Sequence, residues 1–279
     1  MVTRLDYNKE AVDACFSVML EVMNVLGEFC NHIVVIGGWV PYFLIGDKKA
    51  EHTGSLDIDL ALDFQKISSA TYATILQRLK ERAYEQGVQP FIFYRNIKTT
   101  SGREIKVQVD LLSGEYGGTG RSHRTQRVQD VLARKARGAD LVFEDYTKVK
   151  IKGQLPDGSE DEVTIRIANV VPFLVMKGMA LWETYKEKHA YDIYFILKNY
   201  PGGIPALTKL FKSYSKNKLV KEGLSKIRKR FEKINSPGPV WVTTFEEIDD
   251  AEDRDLLQRD AFERVAALLD GLKILAFEE

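Results

Sequence analysis

Three aspartates carry the chemistry that this sequence can be read for: Asp57 and Asp59 in Ser55-Leu56-Asp57-Ile58-Asp59-Leu60, and Asp110 in Val107-Gln108-Val109-Asp110-Leu111-Leu112. Over residues 56–62 leucines and Ile58 alternate with the aspartates. Side chains of a strand point to opposite faces with period two. Leu56, Ile58, Leu60 and Leu62 are therefore expected to face a core, and Asp57 and Asp59 the other way, side by side. Close carboxylates repel and raise each other's pKa unless a cation lies between them. Magnesium does this with oxygen ligands, usually one or two carboxylates plus substrate phosphates. Residues 105–111 repeat the alternation, with Lys106, Gln108 and Asp110 on the polar face. If the two strands are neighbours, three carboxylates can hold two ions, Mg2+ or Mn2+, about 3.5–4 Å apart, one at the attacking oxygen and one at the leaving pyrophosphate. A bare D-x-D also describes the solvated face of an edge strand; the glycine pair upstream and the third aspartate downstream favour a metal site for phosphoryl or nucleotidyl transfer.

The elements that position these residues begin with His32-Ile33-Val34-Val35-Ile36, a short β-branched run ended by Gly37-Gly38. An apolar stretch, Trp39 to Ile45, follows, with Pro41 suited to a first helical turn. Strand, Gly-Gly and helix start form an arrangement in which backbone N–H groups can meet phosphate. Gly-Gly alone also marks any tight turn. Far along the chain, Lys177 is the one charge in the run 170–182. Such a lysine either snorkels or reaches into a site, where an ammonium suits triphosphate charge. Lys188 and Asp192 are four apart, on one helix face: an ordinary surface ion pair, or part of a nucleotide or acceptor site.

Taken together, Gly-Gly on a strand-to-helix turn, h-D-h-D-h and a third aspartate on a later strand resemble the DNA polymerase β-like nucleotidyltransferases. The strings Gly37-Gly38-Trp39-Val40-Pro41-Tyr42-Phe43-Leu44 and His52-Thr53-Gly54-Ser55-Leu56-Asp57-Ile58-Asp59-Leu60 are similar to the AbiEii/AbiGii-toxin type of minimal nucleotidyltransferase. So are Val175-Met176-Lys177-Gly178 and Lys188-His189-Ala190-Tyr191-Asp192-Ile193. The resemblance covers roughly residues 30–200. The gap from Gly38 to Asp57 is longer than in polymerases, and His189 stands where that family usually has aspartate. The resemblance implies an α+β fold, with a mixed sheet flanked by helices over 1–168 and a helical lobe over 169–279. It also implies catalytic and metal-binding roles for Asp57, Asp59 and Asp110, and nucleotide contacts from Gly37, Gly38, Ser55, Lys177, Lys188 and Asp192, with the nucleotide between the lobes. NMP would pass from an NTP to a hydroxyl, an RNA (tRNA 3′ end) in a toxin–antitoxin or phage-defence system with a cognate antitoxin as partner. A small-molecule hydroxyl such as that of an antibiotic, or nucleotide binding without turnover, are the alternatives.

At 279 residues, with 44% hydrophobic and 29% charged residues, the chain can bury a substantial core. Net charge is zero, so bulk attraction to nucleic acid is not implied. Basic residues are nevertheless clustered: Arg121, His123, Arg124, Arg127, Arg134, Lys135 and Arg137, and again Lys212, Lys216, Lys218, Lys221, Lys226, Arg228, Lys229 and Arg230. These are either solvated faces or phosphate-backbone contacts; Tyr214 and Phe231 beside the second cluster are expected to pack in a core rather than stack bases. An acidic stretch runs from Glu246 to Asp255. Cys15 and Cys30 lack metal-ligand spacing and read as reduced residues of a cytoplasmic protein. No apolar run is long enough for a bilayer. The pattern predicts helices over 8–29, 67–86 and 256–277. It predicts strands near 32–36, 56–62, 91–94 and 104–112, and a hairpin around Pro156-Asp157-Gly158-Ser159. A loop is expected over 114–124, helices from 170 onward, and a break at 235–239.

Overall fold

The computed structural model describes residues 3–45, 51–99, 101–114, 125–128 and 131–278. The chain forms two compact units: Tyr7–Phe43 with Gly54–Asn169, and Met1–Asp6, Leu44–Thr53 and Val170–Glu279. Residues 44–45 and 51–53, inside the stretch expected to belong to the α/β lobe, thus go with the helical unit.

The first unit is α+β. Helix α1 (Lys9–Val25) starts where the Asn8 side chain accepts the Ala11 N–H at 3.0 Å. Its apolar row of Ala14, Cys15, Val18, Met19, Val22 and Met23 is buried. The helix expected to reach 29 ends at Val25 and gives way to a 3-10 turn, Gly27–His32. Strand β1 (Ile33–Ile36) is wholly buried and runs through Gly37-Gly38 into α2 (Trp39–Ile45). Strand β2 spans Asp57–Leu62, so Leu56 lies just outside it and is half-buried rather than in the core. Helix α3 (Ser69–Glu81) is capped by Ser68 and stops five residues short of its expected end. Ala83 turns to φ +59°, and Tyr84–Gln86 becomes strand β3, placing Tyr84 in the core. A left-handed residue ends helical hydrogen bonding whatever the periodicity beyond it suggests.

Strands β4 (Ile92–Lys98), β5 (Glu104–Ser113), β6 (Thr125–Val128), β7 (Val131–Lys135), β8 (Tyr146–Gln154) and β9 (Glu160–Ala168) complete the mixed sheet. Its order is β3-β4-β5-β2-β1-β9-β8, with β7 pairing the end of β5 and β6 pairing β7. The β8–β9 hairpin closes at the expected turn, where Gly158 takes φ +85°. Of the loop expected over 114–124, residues 115–124 lie outside the described residues.

The second unit is helical: α4 (Val170–Thr184), α5 (Glu187–Asn199), α6 (Gly203–Lys212), α7 (Lys218–Arg230), α8 (Pro237–Glu246) and α9 (Ala251–Gly271). Helices α4 and α7 meet backbone to backbone, since a Cβ on Gly178 would lie 2.2 Å from the Gly223 carbonyl oxygen. The break at 235–239 is the entry to α8, with Pro237 in its first turn. The closing helix starts earlier than its apolar pattern suggests, because Asp250 caps it by accepting the Asp253 N–H at 3.0 Å. Among the described residues no helix is long and apolar enough to cross a membrane.

Candidate active site

The register of two strands brings the three aspartates onto one face. Strands β2 and β5 are parallel neighbours, with Asp59 opposite Asp110 and Asp57 opposite Gln108. Neighbouring strands lie about 4.8 Å apart and paired residues share a face. Asp57, Asp59 and Asp110 therefore stand on the same side of the sheet. Farther along that side, Ala61, Leu112 and Val34 are buried, so the carboxylates occupy one end of a largely apolar face. Ile58, Leu60, Val109 and Leu111 fill the opposite face and are fully buried, which locks the register: a one-residue slip would drive three carboxylates into the core.

On its other side Asp59 is paired with Ile36, the last residue before the glycine turn. Gly37 takes φ +72°, and a Cβ there would lie 2.0 Å from Asp59 Oδ2. A side chain at 37 and the Asp59 carboxylate cannot both occupy that space. Gly38 is crowded too, since its Cβ would lie 2.5 Å from Ser55 Oγ. Ser55 is buried and donates to Asp57 Oδ1 at 2.6 Å. Gln108 donates to Asp110 Oδ1 at 2.8 Å. The Trp39 indole N–H donates to the Asp57 carbonyl at 3.1 Å, tying the start of α2 to β2. Gly37, Gly38, Ser55, Asp57, Asp59 and Asp110 are thus one constellation; Gln108 and Trp39 join it without having been singled out from the sequence. The period-two spacing already places Gln108 on the polar face with Asp110; its hydrogen bond to that carboxylate is what the structure adds. Cys15 lies nearby, and burial first, then the Asp57 charge, push its thiol well up, so it is an inert core residue.

The donor set suits a hard divalent cation in type: carboxylate oxygens on adjacent strands beside a position stripped of its Cβ. Among the described residues no three acidic, histidine or cysteine side chains converge as a closed metal-ligand set. As they stand, Asp57 is turned to Ser55 and Asp110 to Gln108. Polar partners of this kind orient ligating carboxylates in metal sites.

Lys177, Lys188 and Asp192 form a second cluster, inside the helical unit. Asp192 is completely buried on α5. Lys188 donates to its Oδ1 at 2.6 Å, and Lys177 of α4 lies 2.6 Å from its Oδ2 as an ion pair rather than an aligned hydrogen bond. Neither lysine snorkels, both being 7% exposed, and Lys188–Asp192 is not a surface pair. His52, to which the sequence reading assigned no role, is 2.9 Å from Asp192 Oδ1 through Nε2, and its ring stacks on Tyr191 at 5.6 Å. Burial opposes the Asp192 charge, but Lys177, Lys188 and the His52 hydrogen bond outweigh it and hold the carboxyl well below its usual range. Burial, then Lys188, push His52 down to about 4. His52 is therefore neutral at pH 7, and because an ionised carboxylate only accepts, its proton sits on Nε2. His189, pushed well down by burial and Lys177, faces the Lys177 ammonium with Nδ1 at 3.5 Å, which leaves Nε2–H to donate to Thr184 Oγ1 at 3.1 Å.

The second basic cluster is not a uniform solvated face. Lys226 is buried against Glu222 at 2.9 Å, Arg228 pairs with Asp270 at 2.6 Å and Lys229 with Glu232 at 3.1 Å. Phe231 is in the core, and Tyr214 is half-buried. Arg121, His123 and Arg124 of the first cluster lie outside the described residues, as do the side chains of Arg127, Arg134 and Lys135.

No protein-family model matches the chain, and no curated protein matches it. Among solved structures it is similar to the crystal structure of an antigenic nucleotidyltransferase-like protein from Paracoccidioides brasiliensis, with 16% identity, 82% of this chain and 93% of that one covered, and a TM-score of 0.44. At that level of likeness the functional reading rests on the residues of the site.

Proposed function

We propose that the chain is a metal-dependent nucleotidyltransferase that moves an NMP from an NTP to a hydroxyl acceptor. The observation that carries this reading is the pairing of Asp59 with Asp110 across β2 and β5, with Asp57 on the same face and the Gly37-Gly38 turn against Asp59. Asp57, Asp59 and Asp110 would hold Mg2+ or Mn2+. The metal, when bound, would neutralise phosphate charge and ease deprotonation of the attacking hydroxyl. Ser55 and Gln108 keep Asp57 and Asp110 oriented through their hydrogen bonds. The missing Cβ atoms at 37 and 38 leave room for the Asp59 carboxylate and the Ser55 hydroxyl, and the backbone N–H groups of that turn are proposed to meet the phosphates. Lys177 and Lys188 are proposed to act on the nucleotide's phosphates, with Asp192 and His52 setting where their ammonium groups lie. By resemblance of the motifs, the acceptor is an RNA such as a tRNA 3′ end, and the biological role is that of a toxin held in check by an antitoxin protein.

The test is incubation of the purified chain with each α-labelled NTP, Mg2+ or Mn2+, and total tRNA, resolved on a denaturing gel. Label entering an RNA band, and lost in Asp59→Asn, is the expected result. Asp59→Asn keeps the volume and removes the charge, so transfer surviving in a folded Asp59→Asn protein would remove the metal assignment. Label passing only to an added small-molecule hydroxyl would replace the RNA acceptor and leave the chemistry in place.

A further inference from the structure

The helical unit presents a group of aromatic rings that the transfer site does not use. Helix α4 ends at Thr184, and the next residue, Tyr185, turns to φ +48°. Glycine or asparagine normally takes such a position. A tyrosine there is strained, and the residue is left 62% exposed. The ring is nonetheless held in place. Arg230 Cζ lies 4.7 Å from its centroid, and the Trp241 ring meets it edge-on at 6.0 Å. The same guanidinium lies 4.5 Å from the Trp182 ring, which Phe277 backs at 5.2 Å.

Arg230 differs from its neighbours on α7. Lys226, Arg228 and Lys229 each have a carboxylate partner. Arg230 has none among the described residues: one N–H donates to the Trp182 carbonyl at 3.3 Å, and its buried Nε has no partner. A cation without a counter-ion, stacked between rings of which one faces solvent, suits a planar ligand that carries negative charge. The aromatic box is already filled by Arg230, so it is not a cage for a quaternary ammonium. A nucleobase stacked on Tyr185, with its phosphate near the guanidinium, satisfies both features.

We propose that Tyr185, Trp241 and Arg230 form a stacking site for an unpaired base of a single-stranded nucleic acid. Its assignment to the acceptor RNA rests on the transfer reading above; the stacking itself does not.

The experiment is an anisotropy titration of the full chain with a labelled, unstructured ten-nucleotide RNA, followed in parallel by tryptophan fluorescence. Tyr185→Gly removes the ring and relieves the positive φ, and its thermal unfolding is followed alongside to show that the variant is folded. Its RNA affinity is expected to fall roughly 5- to 150-fold, the range for loss of one base–aromatic stack. Arg230→Lys keeps the charge, loses the stacked plane and is expected to weaken binding too. Equal binding of the same strand as DNA would show that the base and not the 2′-hydroxyl is read, in keeping with the site. Wild-type and Tyr185→Gly proteins binding the strand equally, or a wild-type chain that does not bind it, would overturn the proposal. Transfer and its loss in Asp59→Asn are read separately, so either idea can fail alone.

Discussion

Replacing Gly37 with alanine adds one methyl group at the most crowded point of the carboxylate face. Two effects follow, and they can be separated. The φ of +72° is open to glycine but costs an L-residue about 1–2 kcal/mol. The new Cβ would also lie 2.0 Å from Asp59 Oδ2 and 3.0 Å from its Cγ, so the carboxylate must leave its position. Forcing a side chain off its rotamer adds roughly 0.5–1.5 kcal/mol. Gly158→Ala is the control: φ is +85° and nothing lies within 4 Å of the added methyl, so it carries the backbone cost alone. Both variants should therefore melt earlier than wild type, Gly37→Ala by slightly more. Transfer should separate them far more sharply, because displacing a reacting group by about an ångström can cost 10²-fold in rate. The assay pairs thermal unfolding with label transfer to tRNA at saturating Mg2+. Transfer by Gly37→Ala within about threefold of that by Gly158→Ala would refute the reasoning, since the Asp59 carboxylate would then not be held where catalysis needs it.

Asp192→Asn should destabilise the folded chain by about 3–5 kcal/mol, because it leaves two buried ammonium groups facing a neutral amide; a loss under about 1 kcal/mol in urea unfolding would show that the lysines find other partners. The His52 pKa is lower in the folded chain, about 4, than its ordinary 6.5. The unfolded chain therefore binds the proton first, and stability should fall as pH drops from 6.5 toward 4, by up to roughly 3 kcal/mol from this residue. His52→Gln should flatten part of that slope, leaving a share from His189, while Asp192 stays ionised throughout; an unchanged slope in His52→Gln would contradict its buried neutral state. Gly178→Ala should destabilise despite alanine's better helix propensity, because its Cβ would meet the Gly223 carbonyl at 2.2 Å and overpacking typically costs 1–3 kcal/mol; a higher melting temperature would contradict the close α4–α7 crossing.

Much of this could be read from local pattern. Alternation in 56–62 and 104–112 marks strands because one face must be apolar, and Gly37-Gly38 marks a turn because side chains do not fit there. The Pro156–Ser159 turn and the helices after 170 are likewise set by residues close in sequence. Where pattern and cap disagreed, the backbone decided: α3 stops at Glu81 because Ala83 turns left-handed, although apolar spacing continues. What only the tertiary structure decided are the partnerships between distant segments. That β2 and β5 are parallel neighbours, and that Asp59 rather than Asp57 stands opposite Asp110, depends on which strand edges meet once the core is packed. Lys177 and Lys188 both turning to Asp192, with His52 joining them from far earlier in the chain, depends on how α4 and α5 pack. Local sequence limits what each residue can do; burial, by requiring every charge taken from water to find a partner, selects which residues do it together.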